Sequence, residues 1–376
     1  MLKGVHLTLL IGPGLPIPAP QSVVDALTSV QVTSGKDKSG FQVTFAVSKN
    51  STLMKTMLPA GYFDPITTRV VIIATVNGFP NVLMDGIVTQ QELTPSNEPG
   101  QSTLTITGDD LSVLMDVVEL TRPFPAMNDT AKLYLVLAPY ALFGVVPLVI
   151  PPLFDEFLSP TKKWKSQAQQ TDLAFIKALA TQHGYVFYVE PGPLPGQSLA
   201  YFGPDIRIPV PQPALNVNMD AHTNVESLTF SLNGLAKEVM IVTILDPITH
   251  KIPIPLPIPN VSIFQPPLGA RPTPPAKIKF AKNVAGKTVT EVLKETVGKL
   301  LVGSANAITV SGTLDVVRYG RVLRSRLLVG VRGAGLAYDG LYYVDSVTHN
   351  IKRGEYKQSF TLSRDGLISL TPKVVP

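Results

Sequence analysis

Short strand-type runs, separated by turn signals, fill the first third of the sequence and constrain its fold more than any other feature. Val, Ile, Thr and Phe dominate these runs, which is typical of β-strands; they cover residues 5–10, 28–33, 41–47, 69–75, 82–90 and 103–107. Glycine-rich and proline-containing segments lie between them. Many short strands joined by tight turns predict a barrel or a sandwich. A brief helix over 109–117 is expected to close the set, with Asp109 and Asp110 at the positive end of its dipole.

The middle of the chain changes to a helix followed by a hairpin. Thr171 is a favourable N-cap, apolar residues then recur on one helical face, and Gly184 supplies the left-handed stop. Strands over 185–189 and 199–202 follow. This pattern predicts an α+β unit. His183, in the last turn of the helix, is expected to act as a cap at the negative end of the dipole.

The segment 133–154 is nearly uncharged and long enough to cross a bilayer, which takes roughly 20 residues. Four prolines interrupt it, at 139, 147, 151 and 152, and each removes a helical hydrogen bond. We therefore expect no stable membrane insertion. The segment is interpreted as a buried strand over 132–137, followed by an apolar loop over 139–153 that docks on a neighbouring protein. Asp155 and Glu156 are expected to mark its return to water.

The last part of the chain returns to β-structure, with an interruption. Strand patterns occur at 227–232, 238–245, 307–310, 327–331, 341–350 and 358–363. The proline-dense stretch 247–275 favours extended, polyproline-like backbone. A helix follows it, opened by a capping box of Thr288 and Glu291. Two copies of one barrel is one interpretation of the two β sets, but sequence identity alone is too weak to establish a repeat.

Composition points to association and away from several kinds of chemistry. Apolar residues make up 45% of the chain and charged residues 16%, so more apolar surface is expected than a soluble monomer usually exposes. The absence of cysteine excludes disulfides, thiolate catalysis and cysteine-based metal sites. The net charge of +5 is mild for 376 residues. The short basic cluster 161–165 is interpreted as a solvated segment more readily than as a phosphate site. No secretion signal is expected at the N-terminus.

No candidate catalytic, cofactor-binding or metal-ligating residue emerges from the sequence. The five histidines lie far apart, without metal-ligand spacing. The glycine-rich stretch 330–335 precedes another strand pattern, so it is interpreted as a turn and not as a nucleotide-binding loop. Adjacent carboxylates such as Asp109 and Asp110 point in different directions on a helix, which favours capping over acid–base chemistry. We expect a non-enzymatic protein with no cofactor.

The sequence resembles the phage late-control protein D family and the hub part of VgrG-type spike proteins. The most specific match is the closing hairpin, carried by Tyr338, Gly340, Tyr342, Val344, Val347, His349, Phe360, Leu362 and Arg364. The helix–hairpin segment is similar through Asp172, Phe175, Leu179, Ala180, Gly184, Tyr185, Phe187 and Tyr188. A weaker match in the first β set involves Gly40, Phe41, Phe45, Gly86, Ile87, Val88, Gly108, Asp109, Asp110 and Leu111.

The resemblance implies a homotrimeric baseplate hub of a contractile tail or injection system. Each subunit would carry two tube-type β-barrels, so that three subunits mimic a sixfold ring and join a hexameric tail tube to a trimeric spike. The sequence ends at Pro376 without a fused spike region, so the spike is expected to be a separate chain. Other baseplate subunits are expected partners, and DNA or protein cargo is expected to pass the central channel. Assembly is expected in the bacterial cytoplasm, within a virion tail or a phage-tail-like particle.

The expected fold is therefore mainly β with α+β insertions: two tube-type β-barrels plus a helix–hairpin domain. The expected segments are 1–130 (first barrel), 131–220 (apolar segment and helix–hairpin domain), 221–246 with 306–366 (second barrel), 247–305 (proline-rich insertion with a helix) and 367–376 (tail). Three other functions stay open on the sequence alone. One is a tail-associated cell-surface-binding β protein, which exposed loop aromatics would favour, and the second is a tail-associated hydrolase. The third is a pore-forming protein, which rests only on the apolar segment 133–154.

Overall fold

The structure, a computed structural model, describes residues 4–36, 39–98, 101–152, 155, 167–207, 210–245, 253–258, 264–280 and 306–371. Within the first β set it contains a short helix, α1 (Gln21–Ala26), and seven strands. The strands are β1 (Val5–Pro13), β2 (Ile17–Pro18), β3 (Leu27–Gly35), β4 (Ser39–Val47), β5 (Thr68–Val76), β6 (Phe79–Thr94) and β7 (Ser102–Asp110). All six predicted runs fall inside these strands, so the strand prediction for this part is confirmed.

The second β set has a strand at each predicted run. Its strands are β13 (Gln212–Asn216), β14 (Val225–Leu232), β19 (Ile308–Asp315), β20 (Leu328–Arg332), β21 (Gly340–Lys352), β22 (Glu355–Arg364) and β23 (Gly366–Ser369). Of these, β14, β19, β21 and β22 extend two to five residues beyond the predicted bounds. A one-turn helix, α4 (Val316–Tyr319), follows β19. Gly354, at φ 78°, makes the turn between β21 and β22.

Apart from β23, the strands of the two β sets form one sheet of 13 strands. Its main path runs β14-β19-β22-β21-β3-β4-β7-β6-β5-β1-β2, and β20 and β13 branch from β21. β3 and β21 join the sets by antiparallel pairing, and one apolar core lies under both. Within the described ranges neither set closes on itself through strand pairing. The sheet therefore shows a mainly β fold, and two tube-type barrels stay a proposal.

The strands of the two sets repeat in the same chain order. The spatial order β3-β4-β7-β6 has its counterpart in β14-β19-β22-β21. β5 pairs with β6 as β20 pairs with β21, and a helical turn precedes each side strand: the π-helical turn Leu53–Met57 in the first set and α4 in the second. We call the two copies the first and second repeat.

Matching bulges fix the alignment of the two repeats. The β3·β4 ladder shifts between Leu27 and Ser29, and the β14·β19 ladder shifts between Val225 and Ser227. The β6·β7 ladder likewise shifts between residues 88 and 90, and the β21·β22 ladder between residues 344 and 346. In the first repeat, the residue pairings across the sheet lead from the bulge in the β3·β4 ladder to the bulge in the β6·β7 ladder. The same steps in the second repeat lead from the β14·β19 bulge to the β21·β22 bulge. The structure therefore establishes a repeat that the sequence alone did not.

The bulge in β21 overturns one expectation from the sequence. The pattern predicts a long strand with uninterrupted alternation, in which Ser346 lies on the face of Tyr342 and Val344. Tyr342 and Val344 are buried, but the next buried residue on the strand is Val347, and Ser346 is partly exposed. The extra residue at the bulge changes which residues face the core, so the simple alternation was wrong from Ser346 onward.

The middle unit packs two helices against small sheets. Its strands are β8 (Glu119–Arg122), β9 (Val145–Val149), β10 (Gln167–Thr171), β11 (Val186–Pro191) and β12 (Ser198–Gly203), and its α-helices are α2 (Asp129–Leu137) and α3 (Asp172–His183). The Thr171 side chain caps α3 by accepting from the Ala174 amide at 3.2 Å. Gly184 ends the helix at φ 66°. The predicted helix and hairpin are thus confirmed.

The apolar segment before this helix was predicted wrongly in two places. Residues 132–137 form part of α2 and not a strand, because Asn128 caps the Ala131 amide and Asp129 starts the first turn. The segment predicted as a loop over 139–153 contains regular structure: the 3₁₀ helix Ala138–Phe143 leads into β9, and β9 pairs in parallel with β12. Among the described residues no helix is long and apolar enough to cross a membrane.

The proline-rich insertion contains paired strands where it is described. β15 (Glu238–Leu245) lies between β16 (Pro253–Ile258) and β18 (Lys277–Phe280), and β17 (Gly269–Pro272) pairs with β23. The extended backbone predicted for 247–275 is confirmed for β16 and β17, although as β-ladder and not as free polyproline helix. The predicted capping box of Thr288 and Glu291 and its helix lie outside the described residues.

Candidate functional surface

One face of the shared sheet carries almost only hydroxyl and amide side chains. Along each central strand, buried apolar residues alternate with partly exposed Ser, Thr, Gln or Asn. We call this surface the hydroxyl face. It comprises Gln31, Thr33, Gln42, Thr44, Thr103, Thr105 and Thr107 in the first repeat, and Ser227, Thr229, Ser311, Thr313, Ser346, Thr348, Asn350, Ser359 and Thr361 in the second.

The side chains of the hydroxyl face bond to one another across strands. The Oγ1 atoms of Thr33 and Thr348 lie 3.2 Å apart where the two repeats meet. Beside them, the Gln31 Nε2 donates to the Asn350 Oδ1 at 3.1 Å. Such pairs between directly opposed residues stabilise a sheet. The face is therefore continuous across the junction of the repeats.

Charged side chains occur only at the margins of the hydroxyl face. The Lys357 Nζ lies 3.0 Å from the Glu226 Oε1 at one margin, and Glu92 lies on β6 at the other. Typical protein surfaces carry roughly 25–35% charged residues, and this chain has 32 basic and 27 acidic residues to place. A face without them offers no cation for a phosphate backbone and no apolar patch for a hydrophobic ligand.

Arg326 attaches the middle unit to both repeats. Its guanidinium carbon lies 4.0 Å from the centre of the Tyr188 ring, its Nη1 lies 3.6 Å from the Glu190 Oε2, and its Nη2 donates to the carbonyl of Gly35. A backbone φ of 62° orients the residue there. Burial raises the pKa of Glu190, although the neighbouring arginine opposes this. These contacts connect β11, β3 and the segment before β20.

Asp205 collects donors at the same junction. Its carboxylate accepts from the Tyr343 hydroxyl at 3.1 Å, the Gln265 Nε2 at 3.0 Å and the Arg207 Nη2 at 3.1 Å. Burial, together with Asp205, raises the pKa of Tyr343, so this hydroxyl stays protonated and remains a donor. A cavity of about 400 Å³ lies between Tyr188, Tyr343 and Asp205. These hydrogen bonds connect the segment after β12 to β21 and to Gln265.

A buried ion pair holds the hairpin of the middle unit on the first repeat. The Arg69 Nε and Nη2 each donate to an oxygen of Asp85 at 2.7 Å. The Arg69 Nη2 also donates to the carbonyl of Gly196 at 3.0 Å, and the Ser198 hydroxyl donates to Asp85 at 3.3 Å. Gly196 lies in the turn between β11 and β12, and Ser198 is the first residue of β12. The ion pair therefore fixes where the middle unit sits.

Two expectations for charged residues in the middle unit are corrected. His183 does not act only at the helix dipole: its Nε2 lies 2.9 Å from the Asp129 Oδ2 and links α3 to α2. Burial would raise the pKa of Asp129, but hydrogen bonds from His183 and Lys132 outweigh it and hold the pKa well below its usual range. Asp155 does not simply return the chain to water, since its Oδ1 accepts from the Asp129 amide at 2.8 Å.

The capping role predicted for the Asp109–Asp110 pair is confirmed for Asp110. Its Oδ1 accepts from the Ser112 amide at 2.9 Å at the start of a 3₁₀ helix, Leu111–Asp116, whereas Asp109 lies within β7. In the part of the chain that the structure describes, no group of three or more His, Asp and Glu side chains is arranged to hold a metal ion. The basic cluster 161–165 lies outside the described residues.

Three solved structures resemble this chain over nearly its whole length. A tail protein from Neisseria meningitidis matches with a TM-score of 0.58 and 15% identity, over 97% of this chain and 98% of that one. The 43 kDa tail protein of prophage MuSo2 from Shewanella oneidensis matches with a TM-score of 0.60 and 14% identity, over 97% and 100%. A chain of the lidded Francisella PdpA–VgrG complex matches with a TM-score of 0.58 and 10% identity, over 100% and 55%. The chain has the fold of phage tail proteins.

Sequence comparison adds no closer relationship. No protein-family model matches the sequence, and no curated protein matches it. The assignment of the tail-protein fold therefore rests on structural similarity. At sequence identities of 10% to 15%, this similarity concerns the fold alone. It agrees with the resemblance seen in the closing hairpin and the helix–hairpin segment.

The hydroxyl face was missed by the analysis of the sequence, although a signal for it was present. Ser or Thr occupies every second position at 103–107, 227–231 and 309–313. Alternation of this kind predicts the wet face of a strand. What the sequence does not contain is the order of the strands, and only that order brings these short runs together into one surface.

Proposed function

We propose that this chain is the baseplate hub protein of a contractile tail or injection system. The observation that carries the proposal is the internal repeat, in which two copies of one strand arrangement continue a single sheet. Three copies of such a chain would present six equivalent units, which fits an adaptor between a hexameric tail tube and a trimeric spike. The tail-protein fold supports the same function.

In the proposed assembly the chain is a homotrimer, and each repeat serves as a tube-type β-barrel. The hydroxyl face lines the central channel, because a wall without charged or apolar residues does not retain the cargo that passes it. Other baseplate subunits contact the outside of the ring. The role is structural: the chain carries out no reaction and needs no cofactor. Assembly takes place in the bacterial cytoplasm.

Light scattering on the purified chain, coupled to size exclusion, tests the proposal. The expected result is a trimer at micromolar concentration, together with binding to the tail tube protein of the same particle. A monomer that binds no tube protein would contradict the proposal. Clearing of peptidoglycan by the purified chain in a zymogram would overturn the non-enzymatic role.

A further inference from the structure

The junction between the two repeats shows how one repeat continues into the next. β21 is the last of the four aligned strands in the second repeat and β3 the first in the first repeat, and they pair antiparallel. Thr33 lies opposite Thr348 in this ladder. The counterpart of β3 is β14, and the counterpart of β21 is β6. The chain therefore contains a second copy of each edge that forms this junction.

Both of those counterpart edges are open within the described residues. β14 pairs only with β19, and residues 90–94 of β6 pair only with β7 because the β5 ladder ends at Ile87. All five residues 90–94 are exposed, and so are most residues of β14. An open edge of this kind presents unpaired N–H and C=O groups to another strand.

Other edges in this chain are blocked, and these two are not. On β16, proline alternates at 253, 255 and 257, so every N–H that would point away from β15 is missing. β18, the opposite edge of that small sheet, carries Lys277 and Lys279, and edge lysines also oppose strand addition. Neither β14 nor residues 90–94 contain proline or lysine. The chain thus blocks strand addition at the insertion and leaves it open at the ends of the repeats.

We propose that β14 of one subunit pairs antiparallel with residues 90–94 of β6 in a second copy of this chain. This interface rests on the proposed trimer and specifies how its subunits meet. Seven successive antiparallel pairings connect β14 to β6, so the two strands run in opposite directions and suit an antiparallel ladder. Each subunit offers both edges, which makes the contact heterologous and able to close a ring.

The bulges give the residue-level alignment of the two edges. The bulge in β6 ends at Gln90, and the bulge in β21 ends at Ser346. Gln90 in the first repeat therefore corresponds to Ser346 in the second. Two residues further along each strand, Glu92 corresponds to Thr348. The same alignment, applied to β3 and β14, places Ser231 at the position of Thr33.

The register of the interface follows from the junction inside the chain. Thr33 lies directly opposite Thr348, so Ser231 of one subunit lies opposite Glu92 of the next. One pair further along, Thr229 lies opposite Thr94. In this register the hydroxyl faces of neighbouring subunits adjoin, with Glu92 at the seam between them.

Cysteine cross-linking tests the register, because the chain contains no cysteine of its own. In the variant Glu92→Cys/Ser231→Cys, oxidation or a short bismaleimide is expected to link subunits into covalent dimers and trimers on a denaturing gel. The matched control is Glu92→Cys/Ser227→Cys, whose second cysteine lies four residues away on the same face and is expected to link at least tenfold less. All three positions are exposed, so the folded chain should accommodate both variants.

Light scattering on the same samples separates the outcomes. A trimer in which only the first pair links supports the interface. A trimer in which neither pair links overturns the interface and leaves the proposed hub intact. A trimer in which the control links as well as or better than the first pair overturns the register. A monomer contradicts both the interface and the proposed function.

Discussion

The two repeats share one strand arrangement but differ inside β5–β6 and β20–β21. In the first repeat Arg69 and Asp85 form a buried ion pair, whereas the aligned positions in the second repeat are Leu328 and Leu341. The ion pair also holds the hairpin of the middle unit through Gly196. Among the described residues, the second repeat has no such unit on its side strand. The difference shows that the strand arrangement does not require the charges and that the first repeat uses them to attach the middle unit.

The largest effect is expected from removing one member of that ion pair. Arg69→Leu leaves the Asp85 carboxylate buried without its partner, and breaking a buried pair costs about 3–5 kcal/mol. Urea unfolding of the variant measures the loss.

The double variant Arg69→Leu/Asp85→Leu copies the second repeat and is the matched control. Replacing both charges by apolar residues is often neutral or stabilising, so most of the loss should be regained. If the double variant is as unstable as the single one, the two repeats are not interchangeable at these positions, and the comparison fails.

A smaller loss is expected from Gly108→Ala. An added Cβ would lie 2.3 Å from the Ile87 carbonyl oxygen and 2.4 Å from the Phe41 ring, and overpacking of this kind costs about 1–3 kcal/mol. The second repeat has Leu362 at this position, where the neighbouring ring is absent. Thermal unfolding measures the effect, with Gly234→Ala as control because nothing lies within 4 Å of its Cβ. Equal melting temperatures for the two variants would refute the proposed close contact.

The second repeat should lose stability in mild acid because of His349. Burial lowers the pKa of His349 to about 3, and the neutral ring accepts from the Tyr356 hydroxyl at Nδ1, 2.7 Å away. The unfolded chain takes up this proton near pH 6.5, so stability is full above that pH and falls as the pH drops from 6.5 toward 3. Between pH 7 and 5.5 the loss is about 1 kcal/mol.

His349→Leu tests this, since the first repeat has Leu93 at the aligned position. The variant should show a flatter dependence of unfolding free energy on pH over the same interval. An unchanged slope would mean that another group causes the acid sensitivity.

The smallest effects are expected on the hydroxyl face. Thr107 and Thr361 occupy equivalent positions, and both are partly exposed. Thr107→Val and Thr361→Val should each change the unfolding free energy by no more than about 0.5 kcal/mol, as thermal unfolding can measure. A loss three times larger in one repeat would show that its face is packed against other parts of the chain.

Much of the fold was predictable from the sequence because strand periodicity and turn residues act locally. The runs in both β sets, the Thr171 cap and the Gly184 stop all lie where the pattern predicts them. The failures arose where distant residues decide the structure. Residues 132–137 have strand-like composition, yet the capping of α2 by Asn128 and Asp155 makes them helical.

The functional surface was harder to predict than the fold. Periodicity finds a polar face on each strand but not the partner strand, and the junction of Thr33 with Thr348 joins residues 315 positions apart. The repeat was hidden for a similar reason. Its evidence is the position of two pairs of bulges, and a bulge leaves almost no trace in residue composition.

Electron cryo-microscopy of the purified assembly tests the central claim most directly. The account predicts a closed ring of three subunits whose hydroxyl faces, with Thr33 and Thr348 at the middle of each, line a continuous central channel. A ring with that face on the outside, or a particle in which the two repeats of a subunit do not occupy equivalent positions around the axis, would contradict it.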